Sequence, residues 1–122
     1  MNLTVTEKAG LRLVEGPPGE QLMRTSDDAV SLVEACFSNM SLRALLYAPN
    51  LTARFFDLSS GEAGAILQKL RQYRIRVALV CPTGSVQFTE RFQEMANEEA
   101  RGQHFHIFES AEPAREWLTS GA

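Results

Sequence analysis

The stretch Asp57-Leu58-Ser59-Ser60-Gly61-Glu62 gathers a carboxylate, two hydroxyls and a glycine within a few positions. Two chemistries fit that spacing. Ser59 followed three residues later by Glu62 is a capping box, in which the serine hydroxyl accepts the Glu62 amide and the Glu62 carboxylate reaches back to the Ser59 amide. Such a cap contributes about 1 kcal/mol to a helix. The same residues also stand at the start of a helix, where backbone N–H groups can hold an anion. Ser59 or Ser60 could then carry a phosphate or lie beside one. Asp57 and Glu62 would repel a phosphoserine, and Arg54 offsets only part of that. Asp57, Ser59, Ser60 and Gly61 are therefore the candidate contact residues for a ligand or a partner.

Other reactive side chains form no set that demands catalysis. His104 and His106 are two apart on an expected strand and point to one face. With Glu109 they suggest a metal pair, but third and fourth ligands are missing, and two solvent-facing or interface histidines account for the pattern. Cys36 and Cys81 fit no zinc or redox spacing and read as free thiols. Pro82-Thr83-Gly84-Ser85 lies at a second strand-to-helix junction and lacks a phosphate-loop lysine; it could help line a small pocket or simply turn the chain and cap the third helix. Lys69, Arg71, Arg74 and Arg76 form a basic run that suits the last turn of a helix. No catalytic residue, metal ligand or cofactor is assigned.

The elements that must position these residues follow from hydrophobic period. Residues 2–6 alternate as a half-buried strand, Lys8-Ala9-Gly10 turns, and residues 11–15 return. Gly16-Pro17-Pro18-Gly19 breaks the chain into a surface loop. Residues 25–28 offer caps for a first helix whose inward stripe is Ala29, Leu32, Val33, Cys36 and Phe37. Residues 42–47, nearly all apolar, and the continuous apolar run 77–81 suit strands covered on both faces. Between them Ala63, Ile66, Leu67 and Leu70 mark a second helix. Phe88, Phe92, Met95 and Ala96 mark a third, residues 104–108 a last strand, and Ser110 caps a final helix with Trp117 and Leu118 inward.

Strands separated by helices imply right-handed parallel crossovers. The expected fold is a single α/β domain over residues 1–122, a mixed, mostly parallel five-stranded sheet with about four helices in the order ββαβαβαβα. If every helix packed on one face, Val14, Tyr47 and Val80 could form part of an apolar opposite face that needs a partner or a covering segment; a partner there would make a homodimer. The formal net charge of −3 argues against bulk binding to nucleic acid. No apolar run reaches transmembrane length and no charged-then-apolar leader opens the sequence, so no membrane association and a cytoplasmic location are expected. On the same ground the Asn-x-Ser/Thr matches at Asn2, Asn39 and Asn50 read as chance.

Residues 55–82, with Asp57, Ser59, Ser60 and Gly61 before a helix and an apolar strand, resemble the central segment of the STAS domains, the sulphate transporter and anti-sigma-factor antagonist group. That resemblance implies a STAS-like course and a non-catalytic regulatory or protein-interaction role. Leu58 stands between Asp57 and the serine pair, which leaves Ser59 as the nearest candidate phosphoacceptor. The whole chain also resembles a family of small bacterial proteins of unknown function. The shared features are Asn50-Leu51-Thr52, Phe55-Phe56-Asp57-Leu58, Ser60-Gly61, Ala63-Gly64, Ile66-Leu67-Gln68-Lys69 and Glu116-Trp117-Leu118. The rival reading of the junction is a domain for a small anionic ligand held by the helix N-terminus at 59–62.

Overall fold

The computed structural model describes residues 1–120. Thr4–Lys8 (β1) and Leu11–Glu15 (β2) form an antiparallel hairpin. Its turn, Ala9-Gly10, has φ of 55° and 77°, the left-handed pair whose twist matches the flanking strands. A 3-10 turn at Ser26–Asp28 leads into Ala29–Ser38 (α1). There the Asp28 carboxylate accepts the Arg24 and Thr25 amides at 2.8 and 3.4 Å. Arg43–Tyr47 (β3) follows, then three short 3-10 turns and Glu62–Gln72 (α2). Arg76–Val80 (β4), Glu90–Glu99 (α3), Phe105–Phe108 (β5) and Ala111–Thr119 (α4) complete the described elements.

The five strands lie side by side in chain order, β1-β2-β3-β4-β5, and only the first pair is antiparallel. Each parallel step moves one place in the same direction. Right-handed crossovers of that kind set α1, α2 and α3 on one face. Val14, Ala44, Val77 and Phe105 form one register row across the sheet. They pack with Leu32 and Cys36 of α1, Ile66 and Leu70 of α2 and Phe92 of α3. The stripe Ala63, Ile66, Leu67, Leu70 is buried as its spacing predicts. Phe37 is not. It lies half exposed and packs edge-to-face on Tyr73, because the helix ends at Ser38 before that side can meet the sheet. Phe88 precedes α3 instead of belonging to it and stacks on Phe56.

The opposite face is covered by the chain itself. Leu13, Leu45, Ala78 and Val80 point there and meet Ala114 and Leu118 of α4. Among the described residues an uncovered apolar sheet face, the ground for expecting a dimer, is therefore not found, and Val14 belongs to the α1–α3 side while Tyr47 and Val80 belong to the α4 side. Arg43 and Arg76, register partners at the starts of β3 and β4, bond the end of α4. Arg43 Nε donates to the Leu118 carbonyl at 2.8 Å, and Arg76 donates to Trp117 and Ser120 carbonyls at 2.9 and 3.0 Å. The Arg76 guanidinium also sits 4.3 Å from the Trp117 ring centre, a cation–π contact. Arg76, expected to serve the end of α2, thus serves α4, because it lies on β4 beyond the turn that closes α2. Glu15, 5% exposed, is held by Arg115 of α4 at 2.8 and 2.9 Å and by the Thr6 hydroxyl at 2.7 Å.

Candidate functional site

The chain reaches α2 through Ala53–Phe56 and Leu58–Ser60, two 3-10 turns. Phe55 and Phe56 are buried in an aromatic cluster with Phe88 and Phe92, and this anchors the turn that follows. Asp57 then caps its own loop: its Oδ1 accepts the Ser59 amide at 3.1 Å and the Ser59 hydroxyl at 2.7 Å. The Ser60 hydroxyl donates to the Arg54 carbonyl at 2.5 Å and accepts the Glu62 amide at 3.2 Å. Ser60 N bonds the Asp57 carbonyl and Gly61 N the Leu58 carbonyl.

The capping box between Ser59 and Glu62 does not form. Gly61, at φ 81°, is the residue flanking α2, so the chain reverses there and Ser60, one residue later than the box requires, takes the Glu62 amide. Glycine suits this left-handed position because it has no Cβ. The four candidate residues are brought together at one turn, with Ser59 and Gly61 exposed. The amides of Ser59, Ser60, Gly61 and Glu62 all have acceptors within the chain.

Beside this turn, at the carboxyl ends of β3 and β4, lies a cleft of about 610 Å³. Tyr47 and Val80, the paired last residues of the two strands, line it together. The segment after β3 contributes Ala48, Pro49, Leu51, Ala53 and Phe56; the segment after β4 contributes Pro82, Ser85 and Val86; Pro18 comes from the first loop. No lining residue is charged. The Ser85 hydroxyl is donated to the Pro82 carbonyl at 2.6 Å; Tyr47 is the other hydroxyl-bearing residue of the lining. The volume falls in the range of small-molecule sites, and the carboxyl ends of parallel strands are where such sites gather.

Asn50 holds the cleft's frame. It is fully buried, and its Oδ1 accepts the Tyr47 amide at 2.6 Å. Its Nδ2 donates to the Pro17 and Glu20 carbonyls at 2.6 and 2.8 Å. Its own carbonyl accepts the Leu22 and Met23 amides, both at 2.9 Å. Gly16 makes room: a Cβ there would stand 2.4 Å from Asn50 Oδ1. The Asn-x-Thr match at Asn50 is thus a buried polar hub.

His104 and His106 are half-buried, not solvent-facing, because α4 folds back over that edge of the sheet. His106 stacks on Phe108 at 4.5 Å and meets the edge of Trp117. Glu109 is engaged elsewhere, accepting the Thr83 hydroxyl and the Thr83 amide, which hold its carboxyl below the usual carboxylate range. No group of three metal-binding side chains occurs among the described residues. Burial pushes the Cys36 thiol up to about 12 and raises that of Cys81 as well, so both stay protonated at neutral pH and are poor nucleophiles.

A family model described as "Domain of unknown function (DUF4180)" matches residues 8–118. The chain belongs to that family. The DUF4180 match takes in the whole cleft, the Asp57–Gly61 turn and the Asn50 hub. No curated protein and no solved structure matches this DUF4180 chain. No helix among its described residues is long and apolar enough to cross a membrane.

Of the cleft, sequence reasoning offered only the junction at residues 82–85, of which Pro82 and Ser85 do line it. A further signal is Pro18, Pro49 and Pro82, each shortly after a strand. Prolines bring no backbone amide that would need an acceptor there, which suits an open apolar mouth.

Proposed function

We propose that this chain is a cytoplasmic, non-catalytic binding module whose cleft between the ends of β3 and β4 takes a neutral small molecule with an apolar body. The observation that carries this reading is the lining: an open cleft of about 610 Å³ walled by uncharged, mainly apolar side chains at the strands' carboxyl ends. A ligand of that kind gains from apolar burial. An anion at residues 59–62 is less well supported, since it would have to displace acceptors the amides already have and to approach Asp57 and Glu62.

The test is thermal stability against a panel of neutral aromatics, indole and naphthol among them, with inorganic phosphate alongside. A panel member at about a hundred times its Kd should add about 2.7 kcal/mol. Ala53→Trp fills the mouth from an exposed position and should abolish the shift without unfolding the protein. Stabilisation by phosphate alone, or shifts that survive Ala53→Trp, would overturn the reading.

A second reading is supported by the exposure of Ser59 and Gly61: a STAS-like regulatory contact with a protein partner through Asp57, Ser59, Ser60 and Gly61. The Asp57–Gly61 turn ahead of α2 and the strand–helix alternation favour a STAS-like course in a bacterial regulator. A phosphate on Ser59 would break its 2.7 Å bond to Asp57 and face that carboxylate. Ser59→Asp should therefore weaken partner binding relative to Ser59→Ala. Equal binding by the two variants would remove phospho-switching.

A further inference from the structure

We propose that a second cavity, next to the cleft and parted from it by Pro82 and Val86, takes the polar end of the same ligand, a neutral hydrogen-bond donor such as a hydroxyl or a primary carboxamide. This rests on the cleft reading above and adds the ligand's head group to it. The cavity holds about 280 Å³ and lies where β4 and β5 finish. Val80 and Phe108 are the last register pair there, and the Cys81 amide donates to the Phe108 carbonyl at 2.8 Å. Pro82 and Val86 line both spaces. The segment they bound thus divides an uncharged, mainly apolar space from one that carries polar side chains.

That segment is held in place. The Thr83 amide donates to Glu109 at 2.8 Å, and the Thr83 hydroxyl donates to the other oxygen of the same carboxylate. The Ser85 amide and hydroxyl both donate to the Pro82 carbonyl, at 3.0 and 2.6 Å. Gly84, at φ 83°, takes the turn between them in a conformation that a side chain would strain. The dividing wall is therefore formed before any ligand arrives, and binding need not order it.

The lining of the second cavity selects the head group. Its polar side chains are Thr83, Gln93 and Glu109. The Thr83 hydroxyl hydrogen is already given to Glu109, and Gln93 turns its Nε2 to Asn97 Oδ1 at 2.9 Å. What remains to meet a ligand is acceptors: Gln93 Oε1, and a carboxylate with about four lone-pair sites, of which Thr83 uses one on each oxygen. The same two bonds hold the Glu109 carboxyl below the usual carboxylate range, so it stays an ionised acceptor at neutral pH. An anionic head would be repelled. Glu109 is exposed, so its charge is screened and a cationic head gains little over a neutral donor.

The test is calorimetric affinity of the full chain for indole, 3-(2-hydroxyethyl)indole and the methyl ether of that alcohol, in which a methyl group replaces the donated hydrogen. The alcohol should bind about fivefold more tightly than the ether. The ratio of their Kd values within one protein cancels any change in the cleft itself, and it should fall toward one when Glu109→Ala and Gln93→Leu are combined. Indole binding without a preference for the alcohol, or a preference that survives both substitutions, would overturn this proposal and leave the cleft reading standing. A stronger preference for the corresponding carboxylate or amine would overturn the neutral head. Absence of binding by all the probes would remove the cleft reading and this proposal with it.

Discussion

On one face of the sheet, α1, α2 and α3 press Phe55, Phe92 and Leu70 against Val77 and Leu79. On the other, α4 lays Ala114 and Leu118 over Leu13 and Ala78, and three arginines tie it down as well. The first face is closed by area, which is large and non-directional. The second is a thinner apolar layer under a single nine-residue helix. There, directional bonds from Arg43, Arg76 and Arg115 select one placement of α4. Apolar contact by itself would accept several crossing angles; guanidinium forks would not. The comparison therefore predicts that damage to the first face reads out as lost stability at any pH, and that damage to the second depends on charge state.

The largest effect is expected from Phe92→Ala. Phe92 is fully buried and contacts the rings of Phe55, Phe56 and Phe88. Its truncation should cost about 3–5 kcal/mol in denaturant unfolding. A loss below about 1 kcal/mol would mean that the neighbouring rings refill the space and that this face is less tightly specified than its burial implies.

Arg115→Ala tests the second face. Burial pushes the Glu15 carboxyl up, but hydrogen bonds from Arg115 and Thr6, together with the Arg115 charge, more than reverse this, and the net direction is down. A carboxylate with a depressed value in the folded state stabilises the protein above its ordinary value, and the contribution is lost as pH falls through the depressed one. Without Arg115, burial dominates and the value rises, so folding then loses stability as pH increases through it. The gap between wild type and variant should widen from about pH 3 to pH 7. At neutral pH it should reach about 2 kcal/mol, discounted from a fully buried pair because Arg115 is 31% exposed. A gap that stays constant across that range would show that Glu15 is not the group that senses Arg115.

The same contrast explains what the residues disclosed in advance. The first face was legible: the stripe Ala63, Ile66, Leu67, Leu70 and the apolar runs of β3 and β4 are local patterns, and crossover handedness turns them into an arrangement. Of the second face only the inward side of its helix, Leu118 and Trp117, was legible. Glu15 and Arg115 lie a hundred residues apart, and nothing near either one shows that they meet. Handedness puts three helices on one side, yet it is silent about a terminal helix that follows the last strand. Asn50 was opaque for a related reason, since its role depends on carbonyls of Pro17 and Glu20 brought in by a loop. Of the candidate site, the Asp57–Gly61 turn could be located from its residue types. Its bonding could not, because a 3-10 turn displaces the cap by one residue. Of the cleft only the junction at Pro82 and Ser85 was legible, because its walls come from three separate loops.

The smallest effect separates two neighbouring hydroxyls on the first face. A capping box would make Ser59 the residue that matters for α2. The observed bonds give that place to Ser60, which links the Arg54 carbonyl to the Glu62 amide across the 3-10 turn. Ser59 bonds only Asp57, and Asp57 still has the Ser59 amide when the hydroxyl is gone. Ser60→Ala leaves the first amide of α2 without its acceptor and should cost about 1 kcal/mol. Ser59→Ala should stay within about 0.5 kcal/mol of wild type, as exposed substitutions do. Denaturant midpoints for the two variants decide the order. If Ser59→Ala proves the costlier, the box forms in solution after all and the Ser59 hydroxyl is withdrawn from any partner.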